Sequence, residues 1–71
     1  MNNVNRPTHY QQERIETIDY IRATLGEEEF RSFCISNVIK YQSRWKLKGG
    51  LEDLEKASVY ARWASIGRPD R

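Results

Sequence analysis

Residues 36–50 read Ser36-Asn37-Val38-Ile39-Lys40-Tyr41-Gln42-Ser43-Arg44-Trp45-Lys46-Leu47-Lys48-Gly49-Gly50. Asn37, Lys40, Tyr41, Arg44 and Lys48 follow at steps of 3, 1, 3 and 4, which lines up an amide, an ammonium, a phenol and a guanidinium along one side of a helix. The stretch holds four bases (Lys40, Arg44, Lys46 and Lys48) and no acid. It then runs into a glycine pair that stops one helix before the next begins. The first N–H groups of that next helix lack intrahelical partners, and the helix dipole makes this end attractive to anions. The junction is therefore a candidate phosphate site. Lys40, Arg44 and Lys48 would supply counter-charge, and Gly49 and Gly50 would let backbone approach a ligand. Arg44 can grip two phosphate oxygens at once, whereas a lysine acts as a point charge. An ordinary explanation stands beside this one, because cations suit a helix C-terminus and a glycine pair commonly ends a helix. No Gly-x-x-x-x-Gly-Lys-Ser/Thr run occurs, so the turn is not a Walker loop.

The helical pattern extends to both sides. Upstream, Glu27-Glu28-Glu29 suits the positive end of a helix dipole, and Phe30, Phe33/Cys34, Asn37/Val38, Tyr41 and Trp45 follow at helical spacing to about Trp45 or Leu47. Before it, Ile15, Ile18, Ile21 and Leu25 mark a first helix from about Gln12 to Leu25, stopped by Gly26. Downstream, a third helix spans about Leu51 to Ser65, with Leu51, Leu54, Ala57/Ser58, Ala61 and Ala64 as a narrow face of small residues. Val59, Trp63 and Ile66 widen its apolar surface and are candidate oligomer contacts. Residues 1–12 read as an extended arm, because Pro7 biases Arg6 away from helix. Residues 67–71 read as a frayed tail. The expected fold is a single all-α domain over residues 1–71, with the arm at 1–12 and a three-helix body at 12–66. No strand pattern or internal repeat is visible.

Seventy-one residues with one cysteine and one histidine bound the problem further. A chain this short buries only about 60% of its unfolded surface, so its core is thin. Cys34 has no disulfide partner and His9 no zinc-ligand companions, which leaves self-association to complete the core. A homo-oligomer is expected. The Asn-rich N-terminus has no apolar core and no run approaches a membrane span, so neither a leader nor a membrane partner is expected. A lone free thiol suits a reducing cytoplasm. The net charge of +2 is too low for a general nucleic-acid binder. Its distribution is uneven, though: residues 13–29 carry six acids against Arg14 and Arg22, while residues 36–50 carry bases alone. That asymmetry fits a focused anion site or head-to-tail pairing of protomers.

Other residues carry open alternatives. Asp53, Lys56 and Tyr60 share one face of the third helix. Asp53 either orients a lysine or holds a metal, or is a first-turn acid favoured by the dipole. His9 could bond a phosphate or base edge and Tyr10 could stack on a base, or both pack the arm down. Asn37 is an amide on a largely apolar stripe and needs a partner, so it ties the arm to the helix or reads a ligand. Cys34 lies among Phe30, Phe33 and Val38 and reads as an inert core thiol. Trp45 and Trp63 are first core or interface residues.

Together these motifs resemble a small phage-borne domain family described as nucleotide-kinase-like and of unknown function. The chain matches it at Val4-Asn5-Arg6-Pro7-Thr8-His9-Tyr10 and at Glu16-Thr17-Ile18-Asp19. Further matches are Asn37-Val38-Ile39-Lys40-Tyr41-Gln42-Ser43-Arg44, Lys48-Gly49-Gly50, and Asp53-Leu54-Glu55-Lys56-Ala57-Ser58-Val59-Tyr60. The resemblance covers about residues 4 to 63 and implies a phage protein acting in the host bacterial cytoplasm on nucleotides.

The expected function is to bind a nucleotide or cyclic nucleotide through its phosphates, sequestering a nucleotide immune signal. Lys40, Arg44 and Lys48 would hold the phosphates, with Gly49 and Gly50 allowing backbone approach; His9, Tyr10, Asn37 and Tyr60 would contact base or sugar, Asp53 and Lys56 would complete the polar network, and Tyr41 would also line the ligand site. No cofactor is expected on that account. One alternative is a nucleoside monophosphate kinase with Asp53 near magnesium, since phosphoryl transfer needs two nucleotide pockets and a metal site. Another is a protein-interaction inhibitor of a host enzyme, using Trp45 and Trp63.

Overall fold

The structure, a computed structural model, describes residues 16–70. The expected arm at 1–12, with His9 and Tyr10, and the stripe residue Ile15 lie outside that range. Among the described residues the chain is all-α: helix α1 over Thr17–Leu25, α2 over Glu27–Arg44, a π-helical turn over Trp45–Gly49, and α3 over Gly50–Ile66.

The first helix begins later than its periodicity predicts. Glu16 is extended (φ −60°, ψ 147°), so no continuous helix runs from Gln12. The Glu16 carbonyl accepts the N–H groups of Asp19 and Tyr20 and opens α1. Gly26 then closes α1 and opens α2 as a single residue. Its N–H donates to Arg22 O at 3.0 Å, and its carbonyl accepts from Phe30 N at 2.9 Å. At φ 84° and ψ 172°, only glycine holds that corner without strain.

Helices α2 and α3 form an antiparallel hairpin. The start of α2 meets the end of α3 through Arg31, and the end of α2 meets the start of α3 through Arg44. The core is small. Phe30, Cys34 and Ala64 are buried, and Ile18, Ile21, Phe33, Tyr60 and Trp63 pack around them. The α2 stripe is the one its spacing predicts, and Cys34 is a core thiol as expected. The α3 stripe is so only in part: Ala57 and Ala64 are buried as expected, but so is Asp53, whereas Leu51 is 71% exposed and Ala61 also faces out. The buried face is thus set by a carboxylate with a partner on α2, not by the leucines.

The tail differs as well. Gly67 is buried in the left-handed conformation (φ 93°, ψ 9°), and its N–H donates to Trp63 O at 2.7 Å. Arg22 Nε donates to Gly67 O at 2.6 Å, and Arg31 Nη1 to Ala64 O at 2.9 Å and Ser65 O at 3.1 Å. Two arginines thereby satisfy carbonyls that a helix end leaves open. Asp70 folds back to accept Arg62 Nε at 2.7 Å, and its carbonyl lies 3.4 Å from Trp63 Nε1. Residues 67–70 are therefore pinned rather than frayed. Trp63, read as a core or interface residue, packs against the core.

An alanine at position 67 would place its Cβ 3.0 Å from Arg31 Nη2 at a positive φ. Gly67→Ala should lower stability by about 1–2 kcal/mol. Urea unfolding followed by circular dichroism checks this, and a midpoint equal to the parent's would contradict it.

Candidate functional site

Near the closed end of the hairpin, α2 supplies Lys40, Tyr41 and Arg44 and α3 supplies Asp53, Lys56 and Tyr60. Helical spacing within each element sets these residues on the side that faces the other. Tyr41 is the centre. Lys40 Nζ lies 4.5 Å, Arg44 Cζ 5.0 Å and Lys56 Nζ 5.5 Å from its ring centroid. An aromatic face carries negative charge density and draws cations, so one ring gathers three positive groups from two helices.

Tyr41 is held in turn by Tyr60, whose ring is nearly parallel (16°) with centroids 6.0 Å apart. Tyr60 meets Phe33 and Trp63 edge-on at 6.1 Å and 5.4 Å, which ties the site to the core through a run of aromatic contacts. Burial pushes the Tyr60 hydroxyl above its usual range, with the Tyr41 phenol and the Cys34 thiol adding to the shift. The Cys34 thiol is pushed up by burial alone.

Arg44 has a second partner. Its Nε donates to Asp53 Oδ2 at 3.0 Å, and Asp53 is only 2% exposed. The Arg44 side chain keeps 40% of its exposure, so the guanidinium is anchored on one edge and open to solvent on another. Three cations against one carboxylate leave two positive charges in the cluster. Lys40 and Lys56 have no carboxylate partner among the described residues. Such a group can neutralise an anion without first breaking an ion pair of its own.

The structure thus joins six of the twelve residues picked from sequence. The other six divide differently. Gly49 does not leave room for a ligand: a Cβ there would fall 1.8 Å from Asp53 Oδ2, so the missing side chain makes space for that carboxylate. Gly50 serves the backbone, with φ 65° and its N–H donating to Trp45 O across the π-helical turn. Lys48 is exposed in that turn and has no ion pair or ring contact among the described residues. Asn37 Nδ2 donates to Phe33 O at 3.0 Å within its own helix, and the arm it was expected to tie lies outside the described residues. His9 and Tyr10 lie outside the described residues. Sequence reasoning missed the burial of Asp53; the signal present was an arginine and an aspartate flanking a turn whose glycine could seat a carboxylate.

Among the described residues no group of three or more His, Cys, Asp or Glu could hold a metal ion. Asp53 does not fit the magnesium role assigned to it by the kinase alternative, because it is buried and bound by Arg44. No described helix is long and apolar enough to cross a membrane.

A small all-α domain with a cation-ringed tyrosine at a hairpin end is the class these features define. The chain belongs to the DUF3310 family, described as a protein of unknown function, whose profile matches residues 4–62. It is 36% identical over 62 residues to the "Gene 1.7 protein" of Enterobacteria phage T3, covering 80% of this chain and 38% of that protein. It is equally similar to the "Nucleotide kinase gp1.7" of Escherichia phage T7, covering 80% of this chain and 32% of that one. The chain therefore spans about a third of the length of these relatives. No solved structure matches it.

Two outcomes are expected. Gly49→Ala should cost about 2 kcal/mol or more by forcing the Asp53 carboxylate aside, and adding Asp53→Ala should recover part of that loss. Strictly additive losses in chemical denaturation would contradict the contact. The second concerns alkaline pH. Below the ordinary phenol value of 10.0 both folded and unfolded chains carry a neutral Tyr60, but above it the unfolded chain ionises first. Stability should therefore fall as pH rises beyond 10, with Cys34 adding a fall from its ordinary value of 9.0. Melting temperatures between pH 8 and pH 11 test this, and Tyr60→Phe should flatten the upper part of the decline.

Proposed function

We propose that this domain binds a nucleotide through its phosphate, as the substrate-holding part of a nucleotide kinase. The observation that carries the proposal is the convergence of Lys40, Arg44 and Lys56 on one tyrosine ring, with two charges uncompensated. A phosphate is the common small anion that needs more than one cation, and Arg44, fixed through Nε, keeps its outer nitrogens for phosphate oxygens. Tyr41 and Tyr60 supply aromatic surface beside the charge, which suits a base or sugar.

Phosphoryl transfer is favoured over sequestration of an immune signal by the T7 relative, whose name is that of a nucleotide kinase. That protein is about three times as long as the matched segment, so the full activity is proposed of the family's longer members and nucleotide binding of this chain. The structure and the comparisons offer no feature that favours an anti-defence role or inhibition of a host enzyme.

Arg44 is a poor residue to test first, since its loss leaves Asp53 buried without a guanidinium and confounds folding with binding. Lys40 and Lys56 are exposed and free of that difficulty. The experiment is equilibrium dialysis of the protein against nucleoside mono- and triphosphates with magnesium, followed by chromatography of the nucleotides. A retained nucleotide is expected, with Lys40→Ala and Lys56→Ala each weakening retention about tenfold at unchanged melting temperature. A new diphosphate product would extend the proposal to catalysis by this chain. Nucleotides that all remain free and unchanged would refute it.

A further inference from the structure

Aromatic surface on Tyr41 suits a base or sugar, yet that ring is already engaged. Lys40 Nζ, Arg44 Cζ and Lys56 Nζ lie over it at 4.5, 5.0 and 5.5 Å from its centroid, and the Tyr60 ring is nearly parallel to it. A base cannot stack where an ammonium sits, so the cationic and aromatic halves of the site compete for one ring.

The three cations are not equally held. Arg44 is tied through Nε to the buried Asp53 and keeps its place. Lys40 and Lys56 are exposed, stand on flexible four-carbon stems and have no carboxylate partner among the described residues. An exposed ammonium over a phenol ring is weakly bound, whereas its charge-assisted hydrogen bond to a phosphate oxygen is stronger. Given a phosphate, both lysines gain by leaving the ring.

Resting on the nucleotide binding proposed above, we infer that Lys40 and Lys56 are specificity-determining residues. They cover Tyr41 until a phosphate draws them off, so the stacking surface becomes conditional on the phosphate. A bare nucleoside must displace two ammoniums and offers them nothing in return. A nucleotide supplies their new partner itself. Phosphate and nucleoside therefore help each other to bind, and the coupling is reciprocal because it arises from one shift in population. An uncovered tyrosine pair would stack planar bases with or without a phosphate. The cover thus rejects unphosphorylated nucleosides, one cation coming from each helix of the hairpin.

NMR titration of the full chain with inorganic phosphate, with a nucleoside (adenosine, guanosine, cytidine or thymidine), and with both together tests the inference. Protons above an aromatic face resonate upfield, so the Cε protons of Lys40 and Lys56 should start upfield and return toward the ordinary lysine position as phosphate binds. Saturating phosphate should raise nucleoside affinity about fivefold, at the lower end of common couplings. The Lys40→Ala/Lys56→Ala protein should bind phosphate more than about tenfold more weakly, as two charge-assisted contacts are lost. It should nevertheless bind the bare nucleoside more tightly than the parent does, with no further gain from phosphate. Lysine protons that stay in place while phosphate binds overturn the inference. So does a nucleoside affinity that phosphate does not raise in the parent, or that the double substitution does not raise. A chain that takes up no phosphate overturns it too. Retention of whole nucleotides in dialysis reads the proposed function separately, so the two can fail apart.

Discussion

A guanidinium–carboxylate pair at the closed end of the hairpin, Arg44 on Asp53 at 3.0 Å, fixes how α2 and α3 meet. Asp53 is nearly sealed from water, and a buried carboxylate without a partner is costly enough to destabilise a domain of this size. Its neighbours are constrained in consequence. Gly49 must lack a side chain because the carboxylate occupies that space. The five-residue π-helical turn spreads the chain between Arg44 and Gly50, and α3 starts with its acid already pointing back toward α2. The same pair presents the guanidinium beside Tyr41, so the element that closes the fold also orients the candidate site.

The opposite end of the hairpin is fastened by different means. Few apolar side chains are fully buried, and the helix termini would otherwise expose unpaired carbonyls. Arg22 and Arg31 reach across from α1 and α2 to carbonyls at 64, 65 and 67. Glu27 holds Arg31 in place at 2.6 Å, and that contact keeps the Glu27 carboxyl below its usual range. A domain with a thin core thus relies on charged side chains to join its elements, in line with the limits on burial in short chains.

The helical class, the corner at Gly26 and the inward face of α2 were legible because each rests on local chemistry: periodicity, dipole preference and glycine conformation. The inward face of α3 was legible only in part. Ala57 and Ala64 lie on it as their spacing predicts, but Leu51 and Ala61 do not and Asp53 does, since periodicity treats an aspartate as a solvent residue and cannot see a partner nine positions away. The start of α1 was misplaced because Ile15 continues the hydrophobic pattern past a residue whose backbone is extended. The tail was misread because its anchors, Arg22 and Arg31, lie far upstream. At the site, Lys40, Tyr41 and Arg44 lie within about one turn of one helix, so their proximity could be read from spacing. Their union with Lys56 and Tyr60 depended on how two helices pack, and the purpose of Gly49 depended on the Asp53 carboxylate.

Cys34 turns the hairpin into its own reporter. Fully buried against Phe30 and Ala64, with a thiol held protonated by its surroundings, it is closed to any reagent while α3 lies on α2. Modification can proceed only through openings of that interface. With no second cysteine in the chain, the labelling rate of a single sulfur records one structural event. A thiol reagent would therefore act as a stopwatch on the separation of the two helices, reading its free energy when closing outpaces labelling and its rate when labelling is faster.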